Sequence, residues 1–173
     1  FEKAWGVALP TNVGGRVTDF IEQAGKGVLK GFYCMGEDPI LSEPNAAHVA
    51  ECLKKLDFIV VQEIFLSETA KIADVVLPAT CFAEKDGTFT NSERRVQRIR
   101  RAVAAPGEAR PDWEIICQVS TGMGYPMHYD HPGQVWDELA SLTPSMAGIS
   151  YDRIEDVGLQ WPCPTKDHPG TVF

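Results

Sequence analysis

Long hydrophobic runs are missing from this sequence. The longest, such as Phe58-Ile59-Val60-Val61 and Val75-Val76-Leu77, fall far short of the ~20 apolar residues a membrane helix needs, so no span is expected. Positive charge is also scarce: 16 Lys and Arg stand against 24 Asp and Glu, a net charge of -8, which argues against nucleic acid as a partner. Paired cysteines are absent. Cys34, Cys52, Cys81, Cys117 and Cys163 are odd in number, far apart and never arranged as C-x-x-C, which excludes a disulfide framework and predicts small buried side chains in a reducing, cytoplasmic setting. There is no G-x-G-x-x-G after a strand, no P-loop, no nucleophile elbow and no Ser/His/Asp arrangement, so the usual pyrophosphate loops and hydrolase sites are not expected. An initiator Met and a signal-peptide pattern are lacking too. That predicts a piece of a longer polypeptide, whose own leader is out of view, so the periplasm stays open.

What is present suits one ordinary domain of 173 residues, with 44% hydrophobic and 23% charged residues. Val17, Phe20 and Ile21 at helical spacing, followed by Gly25 and Gly27, predict a helix over 16–24. Val28 to Met35 has strand length and ends in Gly36-Glu37-Asp38-Pro39. Ala46, Val49, Ala50 and Leu53 recur at three and four, predicting a second helix over 45–55. The apolar run from Phe58 is that of a strand in a parallel sheet covered by helices. A brief helix near 67–72 and a third strand over 74–78 complete a β, α, β, α, β order. Right-handed crossovers then put the strand-end loops, 36–42, 62–67 and 78–88, on one rim, where ligands bind in open α/β sheets. Further helices are expected over 112–123, with Asp112 as N-cap, and over 134–142. After Pro144 the chain turns irregular. The expected organisation is a doubly wound, mostly parallel α/β domain with helices on both faces (Rossmann-like) over 1–145, and an irregular tail or linker over 146–173.

Three acids carry the chemical content: Asp38 after the first strand, Glu63 after the second, and Asp112 at a later helix start. A carboxylate accepts two hydroxyl donors from a ribose diol, or the ring N–H and exocyclic amine of guanine, an edge adenine does not match. Each acid also has a plainer role open to it: turn former, solvated loop residue and helix cap, respectively. Arg94, Arg95, Arg98, Arg100 and Arg101 fall within eight residues, interleaved with Val96, Ile99 and Val103. Such a cluster suits a partly buried edge pairing with acids, or a site for phosphate or a partner. His128, Asp130 and His131 are close in sequence, but no element aims them at one point, so no metal site is assigned.

Met35-Gly36-Glu37-Asp38-Pro39, Asp57 to Ala70, Ala73 to Ala79, Gly87 to Asn91 with Glu93 to Gln97, Pro111-Asp112-Trp113-Glu114 and Trp161-Pro162-Cys163-Pro164 together resemble the large subunit of molybdopterin oxidoreductases, and formate dehydrogenase α subunits in particular. The resemblance runs over nearly the whole chain. It implies an internal domain of an oxidoreductase that carries bis-molybdopterin guanine dinucleotide with molybdenum or tungsten, with an iron–sulfur cluster elsewhere in the parent. This domain would hold the guanosine of one dinucleotide. By resemblance the contacts are Gly36, Asp38, Ser42, Gln62, Glu63 and Asp112, with Glu63 a longer acid where relatives have Asp and Ala79 where some have serine. The reactive cysteine or selenocysteine, its histidine and the substrate arginine would lie upstream of Phe1. The chain itself is therefore expected to hold no catalytic residue and no metal and to be inactive alone. Its partners would be the parent's remaining domains and electron-transfer subunits. Two alternatives stay open: a scaffold domain of the related respiratory NADH dehydrogenase large subunit, and a free-standing nucleotide-binding module.

Overall fold

A computed structural model describes residues 1–172. Phe173 lies outside the described residues, as do the side chains of Val17 and Thr18, and with them the expected place of Val17 in a helical stripe. The chain divides into two compact units, 1–79 and 80–173.

The first unit opens with a single turn, α1 (Glu2–Trp5), and then α2 (Val17–Gly25). Strand β1 spans Gly31–Met35, three residues shorter at its start than the apolar pattern predicts. The reason lies in Gly27, whose φ of +70° turns the chain out of α2 before the strand begins. A short helix, α3 (Pro39–Ser42), stands where the sequence suggested a loop, because Pro39 fits a first helical position. Helix α4 (Ala46–Leu53) starts at Asn45, whose side-chain oxygen accepts from the His48 amide at 3.2 Å. Strands β2 (Phe58–Glu63) and β3 (Val75–Pro78) complete a sheet in the order β1-β2-β3, both pairs parallel. The segment between them forms a 3-10 turn, Ala70–Ile72, instead of a brief α-helix.

Alternation along the strands decides which face is buried. Cys34 is paired with Val61 and Phe32 with Ile59, and these side chains pack with Ile21 and Ala24 of α2 and Val49, Cys52 and Leu53 of α4. Phe20 and Phe32 stack there, with centroids 5.0 Å apart. On the opposite face Tyr33, Met35 and Phe58 are about half exposed, so the helices of this unit contribute to one face of its sheet.

The second unit departs from the single parallel sheet of the sequence reading. Strands β4 (Gly87–Thr90), β5 (Arg95–Ile99) and β6 (Leu159–Gln160) form an antiparallel sheet in that order. The β4–β5 turn is organised by Asn91, whose Oδ1 accepts the Glu93 and Arg95 amides, and by Arg94 at φ +66°. Helix α5 (Asp112–Gly122) is N-capped by Pro111, in extended conformation, so Asp112 occupies the first turn and is not the cap. Helix α6 (Pro132–Leu142) begins two residues before the expected start, because Pro132 suits its first position and His131 Nδ1 accepts from the Gly133 amide.

Residues 146–172, expected as an irregular tail after a boundary at 145/146, lie in the same compact unit as residues 80–145. Ile149, Ile154 and Cys163 are nearly solvent-free and pack with Val96, Trp136 and Ala140 into one core. The physical cause is a set of long-range polar bonds. Trp136 Nε1 donates to the Ile149 carbonyl at 2.9 Å, and Arg153 donates to the carbonyls of Gly148, Thr165 and His168. The Gly148 position has no room for a Cβ, which would sit 2.0 Å from the Thr165 carbonyl oxygen. Gly148→Ala is therefore expected to lower stability by at least ~1–3 kcal/mol, as overpacking against backbone does. Denaturant unfolding that shows no change would mean that 146–173 does behave as a loose tail.

Candidate functional site

Parallel pairing places the carboxyl ends of β1 and β2, and the loops that follow them, at the same end of the first sheet. Gly36 leaves β1 with φ +66°, a conformation that favours glycine, and its amide extends the ladder by donating to the Gln62 carbonyl at 3.0 Å. Glu63 ends β2 and is partly buried; its Oε1 accepts from the Ile64 amide at 2.6 Å, while Oε2 has no hydrogen-bond partner among the described residues. Ser42 is exposed at the end of α3 and lines a cavity of about 470 Å³ together with Phe32, Cys34, Met35 and Pro39. Cys34 is no nucleophile in that cavity. Burial, reinforced by the Glu37 charge, pushes its thiol up to about 11, and it stays protonated, donating to the Glu37 carbonyl at 3.2 Å.

Two of the expected contacts are engaged by the chain itself. Gln62 is fully buried, and its Oε1 accepts from the Tyr33 hydroxyl at 2.5 Å. Asp38 reaches thirty residues along the sequence. Its Oδ1 accepts the Thr69 amide at 3.1 Å and the Thr69 hydroxyl at 2.6 Å, and its Oδ2 accepts the Glu68 amide at 3.1 Å. Burial would raise this carboxyl, but the bonds from the Thr69 hydroxyl and amide, then from Glu68 and Leu41, outweigh it and hold it below the usual carboxylate range. A lowered folded-state value means the contribution is present above about pH 4 and is lost as pH falls through the lowered value.

Asp112 belongs to the second unit, where it pairs with Lys85, both side chains being roughly three-quarters buried. Lys85 also donates to the Thr80 carbonyl at 3.0 Å. The pair borders a cavity of about 310 Å³ walled by Phe89, Trp113, Trp136 and Tyr151.

The arginine cluster resolves as pairing with acids and carbonyls. Arg95 bonds Glu93 at 2.8 Å and Arg98 bonds Glu155 at 3.1 Å. Arg100 meets the same Glu155 at 2.5 Å, and Arg98 lies 4.0 Å over the Tyr151 ring. His128 and Asp130 pair at 3.3 Å in solvent, His131 is spent on the α6 cap, and no metal-holding group of three occurs among the described residues. Cys34, Cys52, Cys117 and Cys163 are buried and free, as expected of small core residues, and Cys81 is half-buried.

Three residues that matter here were not singled out in the sequence: Thr69, Lys85 and Tyr33. Thr69 is fully buried and polar. Its only sequence signal is its place just before the Ala70–Ile72 turn, and Lys85 is hidden between Glu84 and Asp86.

Gly36→Ala tests the rim directly. A Cβ at this position meets nothing within 4 Å, so the change adds no clash, only the left-handed backbone penalty of about 1–2 kcal/mol. Equilibrium unfolding should show that loss; an unchanged midpoint would mean that the loop relaxes to negative φ at no cost.

Comparison with known proteins adds what geometry alone does not supply. The F420-dependent formate dehydrogenase subunit alpha of Methanocaldococcus jannaschii is 50% identical over 173 residues, covering 99% of this chain and 26% of that protein. Formate dehydrogenase H of Escherichia coli is 40% identical over 165 residues, covering 94% of this chain and 23% of its own length. The chain thus spans about a quarter of the length of these relatives. Acetylene hydratase from Pelobacter acetylenicus shares the fold with a TM-score of 0.62 at 20% identity, over 79% of this chain and 19% of that one. Residues 4–122 match the family described as molybdopterin oxidoreductase, and the chain belongs to that family.

Proposed function

We propose that this chain is a cofactor-holding domain of a formate dehydrogenase α subunit, and that its role is to retain the guanosine end of one molybdopterin guanine dinucleotide. The identity to formate dehydrogenases over almost the entire chain supports the parent activity, oxidation of formate to CO2 or the reverse. The pterin-bound molybdenum or tungsten supplies the electron-transfer chemistry when bound. The residues of this chain bind and orient.

The observation that carries the guanosine reading is Glu63. A partly buried carboxylate at the carboxyl end of a parallel strand keeps one oxygen on its own loop and offers the other without a donor among the described residues. Guanine presents an N–H and an amine on one edge and the ribose presents two hydroxyls, so each needs an acceptor of this kind. Gly36 lets the backbone leave the strand closely at the same end, and Ser42 adds an exposed hydroxyl. Asp38 and Gln62 complete the first unit's part of the proposed set; Asp112 is its member in the second unit. Electron-transfer subunits and the parent's other domains are the proposed partners, and an iron–sulfur cluster is proposed for the parent outside this chain. No helix among the described residues is long and apolar enough to cross a membrane.

The test is cofactor content of the full-length protein, read as GMP and metal released per folded polypeptide. Loss of one charge-assisted contact is worth roughly 1.5–3 kcal/mol, so Glu63→Gln and Asp112→Asn should each weaken retention by about tenfold or more. Full occupancy in both variants would remove the guanosine-binding role.

A further inference from the structure

Between Arg110 and Arg153 the sequence holds six acids and no Lys or Arg. Asp112 is offset by Lys85, which comes from outside this stretch. Within the same stretch lies a cavity of about 440 Å³, inside the ~300–1,000 Å³ range of ligand pockets. It is lined by one face of α5, where Trp113, Cys117 and Thr121 recur every four residues beside Glu114 and Gln118, and by the segment from Met127 to Tyr129.

The lining is held in place by its own bonds. Thr121 Oγ1 donates to the Met127 carbonyl at 3.3 Å and accepts the Met127 amide at 3.2 Å, and Ser120 Oγ donates to the Tyr125 carbonyl at 3.0 Å, so this loop is stitched to the end of α5. The Tyr129 hydroxyl donates to Glu138 of α6; that bond, then burial, pushes it up to about 12, and the ring stays neutral. Burial, then the Glu114 charge, raises the Cys117 thiol, which is a neutral wall as well. His128 is turned to Asp130, 3.3 Å away.

Two aromatic rings and two sulfur side chains thus surround one carboxylate, Glu114, which has neither an ion pair nor a side-chain hydrogen bond among the described residues. The exposed Gln118 amide is equally unengaged. Such a recess repels an anion, and a neutral apolar group leaves its carboxylate unmatched. A guanidinium meets both demands, because its plane lies against aromatic rings and its fork donates to a carboxylate.

We propose that this recess is the docking point for an arginine side chain of an electron-transfer subunit. The inference rests on the reading of the parent as a multi-subunit formate dehydrogenase and is independent of the guanosine contacts. Charge selects the partner: a basic protein surface is drawn to a stretch of one negative sign, and an arginine seated within it fixes the register. Trp, Tyr and Arg are also the side chains that carry most of the energy of protein interfaces.

An acid in a first helical turn eases the helix dipole as well, so stability of a variant does not separate the two roles, whereas partner binding does. The full-length α subunit carrying Gln118→p-benzoylphenylalanine is prepared with its electron-transfer subunit and irradiated, and the cross-linked peptides are read by mass spectrometry. Gln118 is exposed, so the bulky analogue is accommodated. The expected adduct is on an arginine-containing peptide of the electron-transfer subunit. An adduct on the α subunit's own chain, an adduct on a partner peptide without arginine, or none at all would overturn the inference. In parallel, Glu114→Gln keeps the side-chain shape and should weaken subunit association by about tenfold or more and flatten its salt dependence, with formate oxidation read by an artificial dye unchanged. Unchanged association would overturn the inference, and so would loss of dye-linked oxidation together with cofactor, which would place Glu114 at the cofactor. A parent that neither oxidises formate nor associates with another subunit would instead defeat the reading on which the inference stands.

Discussion

The constraint on which the first unit depends is the parallel register of its middle strand. Phe58–Glu63 pairs on both sides, with Cys34 opposite Val61 and Val61 opposite Val76. Slipping this strand by one residue would turn Ile59 and Val61 away from the helices and bring Phe58 and Val60 inward. Because Ile59 and Val61 are the buried apolar residues of the strand, the register is held by their burial against α2 and α4. The same register sets which residues end the strands together: Met35 stands opposite Gln62 and Glu63 opposite Pro78. The chemistry of the rim is thus a by-product of the hydrophobic pattern beneath it. A buried Gln62 at the last paired position, satisfied by Tyr33, joins the apolar part of the sheet to the polar loops.

The second unit solves a different problem. Its sheet is short and antiparallel, and its polar load is high: among the described residues the buried Arg98 Nε and the Thr80 hydroxyl find no hydrogen-bond partner. Here the guanidinium groups work as cross-links. One Glu155 side chain gathers Arg98 and Arg100, and Arg153 bonds the neutral carbonyls of Gly148, Thr165 and His168. The Lys85–Asp112 pair leaves 21% and 29% of its side chains exposed, so solvent still screens part of its worth.

Much of the first unit was legible in the sequence, for a physical reason. Helices spaced at three and four and a strand of continuous apolar residues are local patterns, and α4 and β2 follow them closely. In the second unit the helices were legible, α5 and α6 starting within two residues of where they were expected, but its sheet was not, because its strand pairings join residues far apart, such as Val96 with Leu159. A Pro- and Gly-rich segment reads as a linker unless its long-range partners are known, and those of residues 146–172 include Trp136 and Val96. The candidate site divides along the same line. Gly36 and Glu63 are visible as strand-end residues, whereas Asp38 could be read only as an acid in a loop, since its hydrogen-bond partners lie thirty positions on. Asp112 was expected to cap a helix that Pro111 caps instead.

The placement of β6 bears on synthesis from the ribosome. The sheet partner of Arg95 is Gln160, and Thr171 donates its amide to that same Gln160. Strands β1–β3 pair with one another within residues 1–79, so these pairings can form once roughly half of the 173 residues have emerged. The second unit must wait for almost its last residue. Until then Val96 and Trp136 have only part of their apolar cover. Vectorial folding therefore leaves the β4–β5 ribbon with an unpaired edge for the time needed to translate some sixty residues, several seconds at ~5–20 residues per second, and the arginines along it supply the charge that keeps an exposed strand edge from pairing with the wrong chain.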